Sequence, residues 1–419
     1  MHKSVLKAFA NPTLLVMFFL GLSCGFPLAL TASTLKTWLA SLDISIKEIA
    51  AFAWIAIPYS TKFIWSPFVD GLKIPYLHKL LGQRRSWLLV TQISLIGAVF
   101  LLGSSNPAKS LFCCAAAATL VAFLSATQDI LVDAYRIEKL PKETQAMGVT
   151  MYVYGYRLGL YVSGVGLLLL ADQLTWPIAY YIGAFILVIG VISTLSCTEP
   201  KYKHKKILEN SSYLERFIHM VINPFKEFIT IDKWYYIIIF IVLFKLGDAL
   251  AGNLTNVFLI KLGFTLQELA LYVKTYGLIA TFLGLFLGGI IVQRYGIFKS
   301  LLFAGVIQLL SNLMFIYQDY MGHDTLTLIF TISIENISGA IGDVVFVAYL
   351  SSLCNFQFAA TQYALLSSLA TVARNMISGS SGFLVDSYGW TIFFIISIIA
   401  ALPGILMIFK IRTIKRKQE

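Results

Sequence analysis

Charge is what this chain is short of. Only 13% of its 419 residues are Asp, Glu, Lys or Arg, against 58% hydrophobic, where soluble domains average about 25% charged. No soluble core absorbs that much apolar surface, so an ordinary globular protein is excluded and lipid becomes the expected solvent. Cysteine is also scarce. Cys24, Cys113, Cys114, Cys197 and Cys354 form an odd set without Cys-x-x-Cys spacing, which argues against a disulfide framework or a zinc site. The five histidines, His2, His78, His204, His219 and His323, all lie outside the apolar runs. That excludes a histidine relay at membrane depth and leaves carboxylates as the candidate proton carriers. The chain has neither a Gly-x-x-x-x-Gly-Lys-Ser/Thr phosphate loop nor His-Glu-x-x-His, so ATP-driven pumping and zinc proteolysis have no site in it. A non-enzymatic role without cofactor or metal is expected.

What the chain has in abundance is long apolar runs. A spanning helix needs about 20 such residues, and twelve candidates lie near 13–35, 47–66, 86–103, 110–133, 144–170, 176–197, 234–259, 266–292, 300–318, 325–350, 361–384 and 390–410. None alternates as a membrane strand does, so helix is the expected spanning form. The first run exceeds the 7–15 residues of a signal-peptide core and reads as an uncleaved span. The formal charge of +11 is not gathered as a nucleic acid partner would require. It sits in alternate loops: Lys3 and Lys7; Lys73, Lys79, Arg84 and Arg85; Arg136, Lys139 and Lys142; Lys201 to Lys233; Arg294 and Lys299; and the tail from Lys410. The intervening loops are poor in Lys and Arg, which predicts that both termini face the cytoplasm. The break 199–233 holds Pro200 and Pro224 and divides the spans six and six. A solvated linker is one reading of it; the other is a short surface helix with Phe217, Ile218, Val221 and Ile222 on its apolar side.

Ala126–Glu138 is the most informative stretch. It ends the fourth run and places Asp129, Asp133 and Arg136 at helical spacing on one face. A carboxylate at a membrane helix centre costs about 2.5–3.5 kcal/mol on insertion scales, so two of them need partners or a task. Proton coupling by Asp129 and Asp133 is one reading; a fixed ion pair with Arg136 at a cytoplasmic gate is the other. Asp70, Arg84 and Arg85 read as a helix latch, while Lys62 faces either a cavity or the surface. Lys245, Asp248, Glu335 and Asp343 lie within apolar runs, where substrate contact and mutual pairing are both open.

The two halves repeat. Asp129-x4-Ala134-Tyr135 matches Asp343-x4-Ala348-Tyr349, Thr144-Gln145-x11-Arg157 matches Thr361-Gln362-x11-Arg374, and Asp172-x3-Trp176 matches Asp386-x3-Trp390. An even number of spans separates the copies, so the repeat is parallel. Two six-helix bundles, 1–198 and 234–419, joined by a cytoplasmic linker 199–233, are expected, as in a major facilitator fold. Arg157 and Arg374 each stand twelve residues, about 18 Å of helix, beyond a glutamine at the membrane edge. Both pairing with an aspartate and contact with substrate are open for them.

Taken together, Ala126–Glu138, Gly155-Tyr156-Arg157-Leu158-Gly159, Val162-Ser163-Gly164, Leu353-Cys354-Asn355, Ala360–Ser367 and Gly389-Trp390 resemble the AmpG muropeptide permease family of the major facilitator superfamily. Lys62-Phe63-x-Trp65-Ser66-Pro67-x-x-Asp70 with Arg84-Arg85 looks like that family's loop between spans two and three. The resemblance implies a monomeric inner-membrane permease that imports sugar-peptide fragments of the cell wall together with protons. It puts the family's functional aspartates on Asp129 and Asp133. Gln128, Tyr156, Arg157, Lys245, Asp248, Glu335, Asp343 and Arg374 are the candidate substrate contacts; Asp70, Arg84, Arg85 and Arg136 are the candidate gate. Acetyl-coenzyme A transporters share part of the pattern, so an anionic metabolite is the alternative cargo. A membrane sensor without transport is a third reading, with no signalling domain in its favour.

Overall fold

The computed structural model describes residues 11–141, 143–200, 221–378 and 381–414, and among them every regular element is helical. Ten helices are long and apolar enough to cross a membrane: α1 Pro12–Ala40, α2 Gln83–Ser104, α3 Leu111–Lys139, α4 Gln145–Gln173, α5 Trp176–Ser196, α6 Trp234–Lys261, α7 Leu269–Tyr295, α8 Ile297–Met321, α9 Thr325–Ser352 and, numbered here α11, Ser381–Ile411. Between the last two lies α10, Ala359–Ser378. The surface helix expected around Phe217 and Ile218 lies outside the described residues. So do Lys3, Lys7, Lys142, the lysines at 201–206, Arg216 and the tail beyond 414, all counted in the charge alternation.

The second apolar run does not form one continuous helix. It is built from Ile46–Ala51, Phe52–Ala56, Ile57–Thr61, Lys62–Ile64 and Ser66–Gly71, alternating α and 3-10 geometry. Pro58 and Pro67 each open one of these pieces. A proline lacks the N–H that would continue the ladder but fits the first turn, so it restarts a helix rather than extending it. The last apolar stretch is kinked where Gly389 takes φ +78, a left-handed conformation open to a residue without Cβ. A third interruption falls at Lys245, which separates the α-helices Trp234–Phe244 and Leu246–Lys261 within α6.

The chain forms two compact units: the described residues of Met1–Pro224 with Cys354–Ser368, and Phe225–Leu353 with those of Leu369–Glu419. In the first, Phe26, Leu30, Trp38, Val99, Val121 and Tyr180 belong to one buried cluster. Trp38 stacks on Trp176, and the Trp176 indole N–H donates to the Ser41 hydroxyl. In the second, Phe258, Phe315, Phe393 and Phe394 are buried together, with Trp390 against Phe258. Trp176 and Trp390, paired by the repeat, thus hold the same kind of aromatic position in their own units. Asp129 and Asp343 correspond as well. Each lies eighteen residues beyond the start of its helix, at Leu111 and Thr325. Both helices open on a capping side chain, from Ser110 to the Cys113 N–H and from Asp324 to the Thr327 N–H.

α1 and α4 approach until backbone meets backbone. A Cβ on Gly21 or Gly25 would overlap the carbonyl of Tyr152 or Tyr156, and one on Gly155 or Gly159 would overlap Phe18 or Leu22. Two glycines four apart on each helix make the seam, the small-x-x-x-small contact of membrane helices. Helix alone favours Ala over Gly, so opposite outcomes are expected at two sites. Gly155→Ala should destabilise by about 1–3 kcal/mol through overpacking. Gly97→Ala, whose added methyl meets nothing, should be stabilising by up to about 1 kcal/mol. Thermal unfolding of the purified variants measures both.

Candidate transport site

The α3 side chains singled out by sequence are all buried: Gln128 and Arg136 are 0% exposed, Asp133 4% and Asp129 6%. Arg136 pairs with Asp133 one helical turn away, at 3.1 Å. Its guanidinium also lies over the rings of Tyr152 and Tyr363, where the ring quadrupole attracts a cation. Gln128 ties α3 to α1 by donating to the Ser23 hydroxyl at 3.1 Å and the Cys24 sulfur at 3.3 Å. Asp129 is held differently. Its Oδ1 is buried with no hydrogen-bond partner among the described residues, and so are Tyr59 Oη, Ser125 Oγ and Gln128 Oε1. Tyr59 lies in the fields of Asp129 and Cys24, and Lys62 lies in the field of Asp129. Buried polar atoms are ordinarily satisfied. Asp129 Oδ1 and the three other unsatisfied atoms are positions that water can fill. Tyr156 and Arg157 are half-buried on α4, and the Tyr156 ring lies against Tyr152.

Asp70 and Arg84 lie at the heart of a second cluster in the same unit. Arg84 is fully buried and bridges Asp70 at 2.6 Å and Glu138 at 2.5 Å. The other Asp70 oxygen accepts from the backbone N–H of Thr361 at 2.8 Å and from its hydroxyl at 2.6 Å. These groups belong to the first turn of α10, where unpaired N–H groups and the helix dipole favour a negative charge. Arg85 reaches the Thr194 and Leu195 carbonyls at the end of α5. Glu199 caps α2 by accepting from the Arg84 and Arg85 N–H groups at 2.8 and 3.1 Å. The latch reading of Asp70, Arg84 and Arg85 therefore gains two carboxylates that the sequence did not single out, Glu138 and Glu199. The available signal was position: each acid ends an apolar run beside the basic loop that it grips.

In the second unit, the interruption of α6 sets Lys245 between two carboxylates, Asp343 at 2.9 Å and Asp248 at 3.3 Å. Gln308 of α8 donates to the Asp248 carboxylate, and Ser311 donates to Glu335 at 3.1 Å. Arg374 of α10 acts on both Lys245 and Asp248 through its field. Three acids and two cations thus share one partly exposed cluster, and Gln308 was missed because an amide in an apolar run carries no charge signal. The predicted residues divide between the units: Gln128, Asp129, Asp133, Tyr156 and Arg157 in one, Lys245, Asp248, Glu335, Asp343 and Arg374 in the other. Sequence reasoning missed one pattern: Gly21-Leu22-Ser23-Cys24-Gly25 has the Gly-x-Ser-x-Gly spacing of a hydrolase nucleophile, but it lies inside α1. Its glycines pack on α4, and Ser23 accepts from Gln128; the strand-to-helix elbow that exposes such a serine is not what this segment forms.

Apolar spans, a membrane-buried polar cluster in each unit and an interrupted helix at one of them define a multi-pass membrane transporter rather than an enzyme. The model of the Major Facilitator Superfamily matches residues 13–378. The chain is 38% identical over 411 residues to putative transporter AmpG 4 of Rickettsia conorii, covering 98% of this chain and 99% of that one. It is also 38% identical over 416 residues to the anhydromuropeptide permease of Escherichia coli K12, covering 98% and 82%. Among solved structures, the proton:xylose symporter XylE bound to 6-bromo-6-deoxy-D-glucose superposes with a TM-score of 0.67 at 10% identity, over 98% of this chain and 96% of that one. At that identity the likeness concerns the fold alone. The chain belongs to the AmpG permease family of the major facilitator superfamily.

The buried triad makes a sharp demand. Arg84→Ala leaves Asp70 and Glu138 as two uncompensated buried acids and should destabilise by about 3–5 kcal/mol. Restoring neutrality with Asp70→Asn and Glu138→Gln in the same chain should recover a large part of that loss, as read by thermal denaturation of the purified transporter.

Proposed function

We propose that this transporter imports anhydro-muropeptides, GlcNAc-anhydroMurNAc with or without a stem peptide, together with protons across the bacterial inner membrane for reuse of cell-wall fragments. The observation that carries the reading is the 38% identity to an anhydromuropeptide permease along 98% of this chain. In this reading the chain crosses the membrane twelve times, the proline-broken segment 46–71 and α10 completing the ten long helices. Six spans fall in 1–198 and six in 234–419, with the linker 199–233 and both termini on the cytoplasmic side, and the protein works as a monomer among membrane lipids.

Asp129 and Asp133 are the proton carriers. Support comes from the unsatisfied Asp129 oxygen, with Tyr59, Ser125 and Gln128 around it, while Arg136 fixes Asp133. A carboxyl that accepts a proton where water reaches it and releases it elsewhere needs such loose local bonding. Gln128, Tyr156, Arg157, Lys245, Asp248, Glu335, Asp343 and Arg374 read the cargo. A sugar-peptide offers hydroxyls, amides and carboxylates, and these side chains supply partners for each. Asp70, Arg84, Arg85 and Arg136 form the gate, broken and remade in each cycle.

Membrane vesicles with an imposed inward proton gradient test this directly. Labelled GlcNAc-anhydroMurNAc should accumulate and the accumulation should collapse with a protonophore. Asp129→Asn should abolish driven accumulation while leaving exchange of labelled for unlabelled cargo; full accumulation by that variant removes Asp129 from the coupling. Competition separates the cargoes. Excess unlabelled muropeptide should block uptake and acetyl-coenzyme A should not; the reverse would favour an anionic metabolite read by Lys245, Arg157 and Arg374.

A further inference from the structure

We infer that the second unit holds a binding site for one anionic phospholipid, between the start of α8 and the end of α11. An open pocket of about 250 Å³ lies there, walled by Phe298, Leu302, Ile408 and Phe409, with Lys299 and Arg412 on its rim. No residue lining it is acidic. Arg294, over the ring of the lining Tyr295 at 5.4 Å, and Lys410, next in sequence to the lining Phe409, are two further cations close by along the chain. None of these four basic side chains takes part in an ion pair among the described residues. Among the described residues the pocket therefore offers positive charge without a protein counter-charge, and a phosphodiester supplies that charge.

The surroundings select a lipid over a free anion. The pocket opens at the membrane-edge ends of two packed helices, and exposed apolar side chains run away from it along both. On α8 these are Phe303, Val306 and Leu310; on α11 they are Phe409, Leu406 and Leu402. Their spacings of three and four residues put each set on one helix face. A headgroup held by Lys299 and Arg412 would lay its acyl chains along these two ridges, where a free phosphate would find only hydrocarbon. Basic pockets between helix ends recognise lipid headgroups by this combination of cation and apolar wall. The site is independent of the cargo and of the proton-coupling groups.

Native mass spectrometry of the full-length transporter, titrated with phosphatidylglycerol in detergent, tests the assignment. Each cation removed should weaken one bound lipid about 5-fold, so Lys299→Gln with Arg412→Gln should weaken it about 25-fold. Lys73→Gln with Lys79→Gln, basic positions outside the pocket, should leave it unchanged. Leu302→Trp, which fills the cavity without altering charge, should also lower binding, and its melting temperature reports that the fold is intact. Phosphatidylcholine should bind poorly at the site, and millimolar inorganic phosphate should not displace the lipid. Equal phosphatidylglycerol retention by the pocket and control variants, or displacement by phosphate, would overturn the proposal.

Discussion

A charge that leaves water for hydrocarbon must bring its solvent with it in the form of other protein groups. Arg84 is the fullest case here. Its guanidinium is entirely enclosed, and the carboxylates of Asp70 and Glu138 replace its hydration. Asp70 in turn spends its second oxygen on the first turn of α10. Helix ends that would otherwise need water, at α2, α5 and α10, are closed by the side chains of Glu199, Arg85 and Asp70. Remove Arg84 and the Asp70 and Glu138 carboxylates are left buried without the cation that balances them.

The two units answer the same constraint in different ways. In the first, Asp133 is paired with Arg136 while Asp129, one turn away on α3, keeps an oxygen without a hydrogen-bond partner among the described residues. A tightly and a loosely held carboxylate thus stand side by side on one helix. In the second, the cations are shared. Lys245 lies between Asp248 and Asp343, and Arg374 acts on the same cluster. Both arrangements depend on irregular backbone. Lys62 comes from a 3-10 turn in the broken segment, and Lys245 from the interruption of α6. In lipid such backbone survives where protein or a water-filled cavity covers it.

Much of this was legible in the residues, for a simple reason: apolar length and charge are strong signals in a membrane chain. The long helices, the buried acids of α3 and the correspondence of Asp129 with Asp343 all come from spacing alone. The latch around Asp70 was half legible. Its basic members stand out in a loop, but Glu138 and Glu199 become partners of Arg84 and its N–H group only when helix ends fold back together. Gln308 and Tyr59 left no mark, because a neutral polar side chain within an apolar run looks the same whether it faces a neighbour helix or a cluster of acids. The Gly-x-Ser-x-Gly spacing in α1 shows the converse: small residues selected for close packing imitate a catalytic pattern.

The glycine seam between α1 and α4 has a mechanical side. Surfaces made of carbonyls and bare Cα atoms have no rotamers with which to adjust, and a slip of one residue would drive Phe18 or Leu22 side chains into the facing backbone. The two helices are thus bolted into a single beam. Bending is left to the wide π-helical turns Leu30–Thr34 and Val162–Gly166, one on each helix and joined by the Thr34 hydroxyl donating to the Ser163 carbonyl at 3.0 Å. The two wide turns thus face each other across the seam, tied by that one bond, so that a change of geometry at one is felt directly at the other.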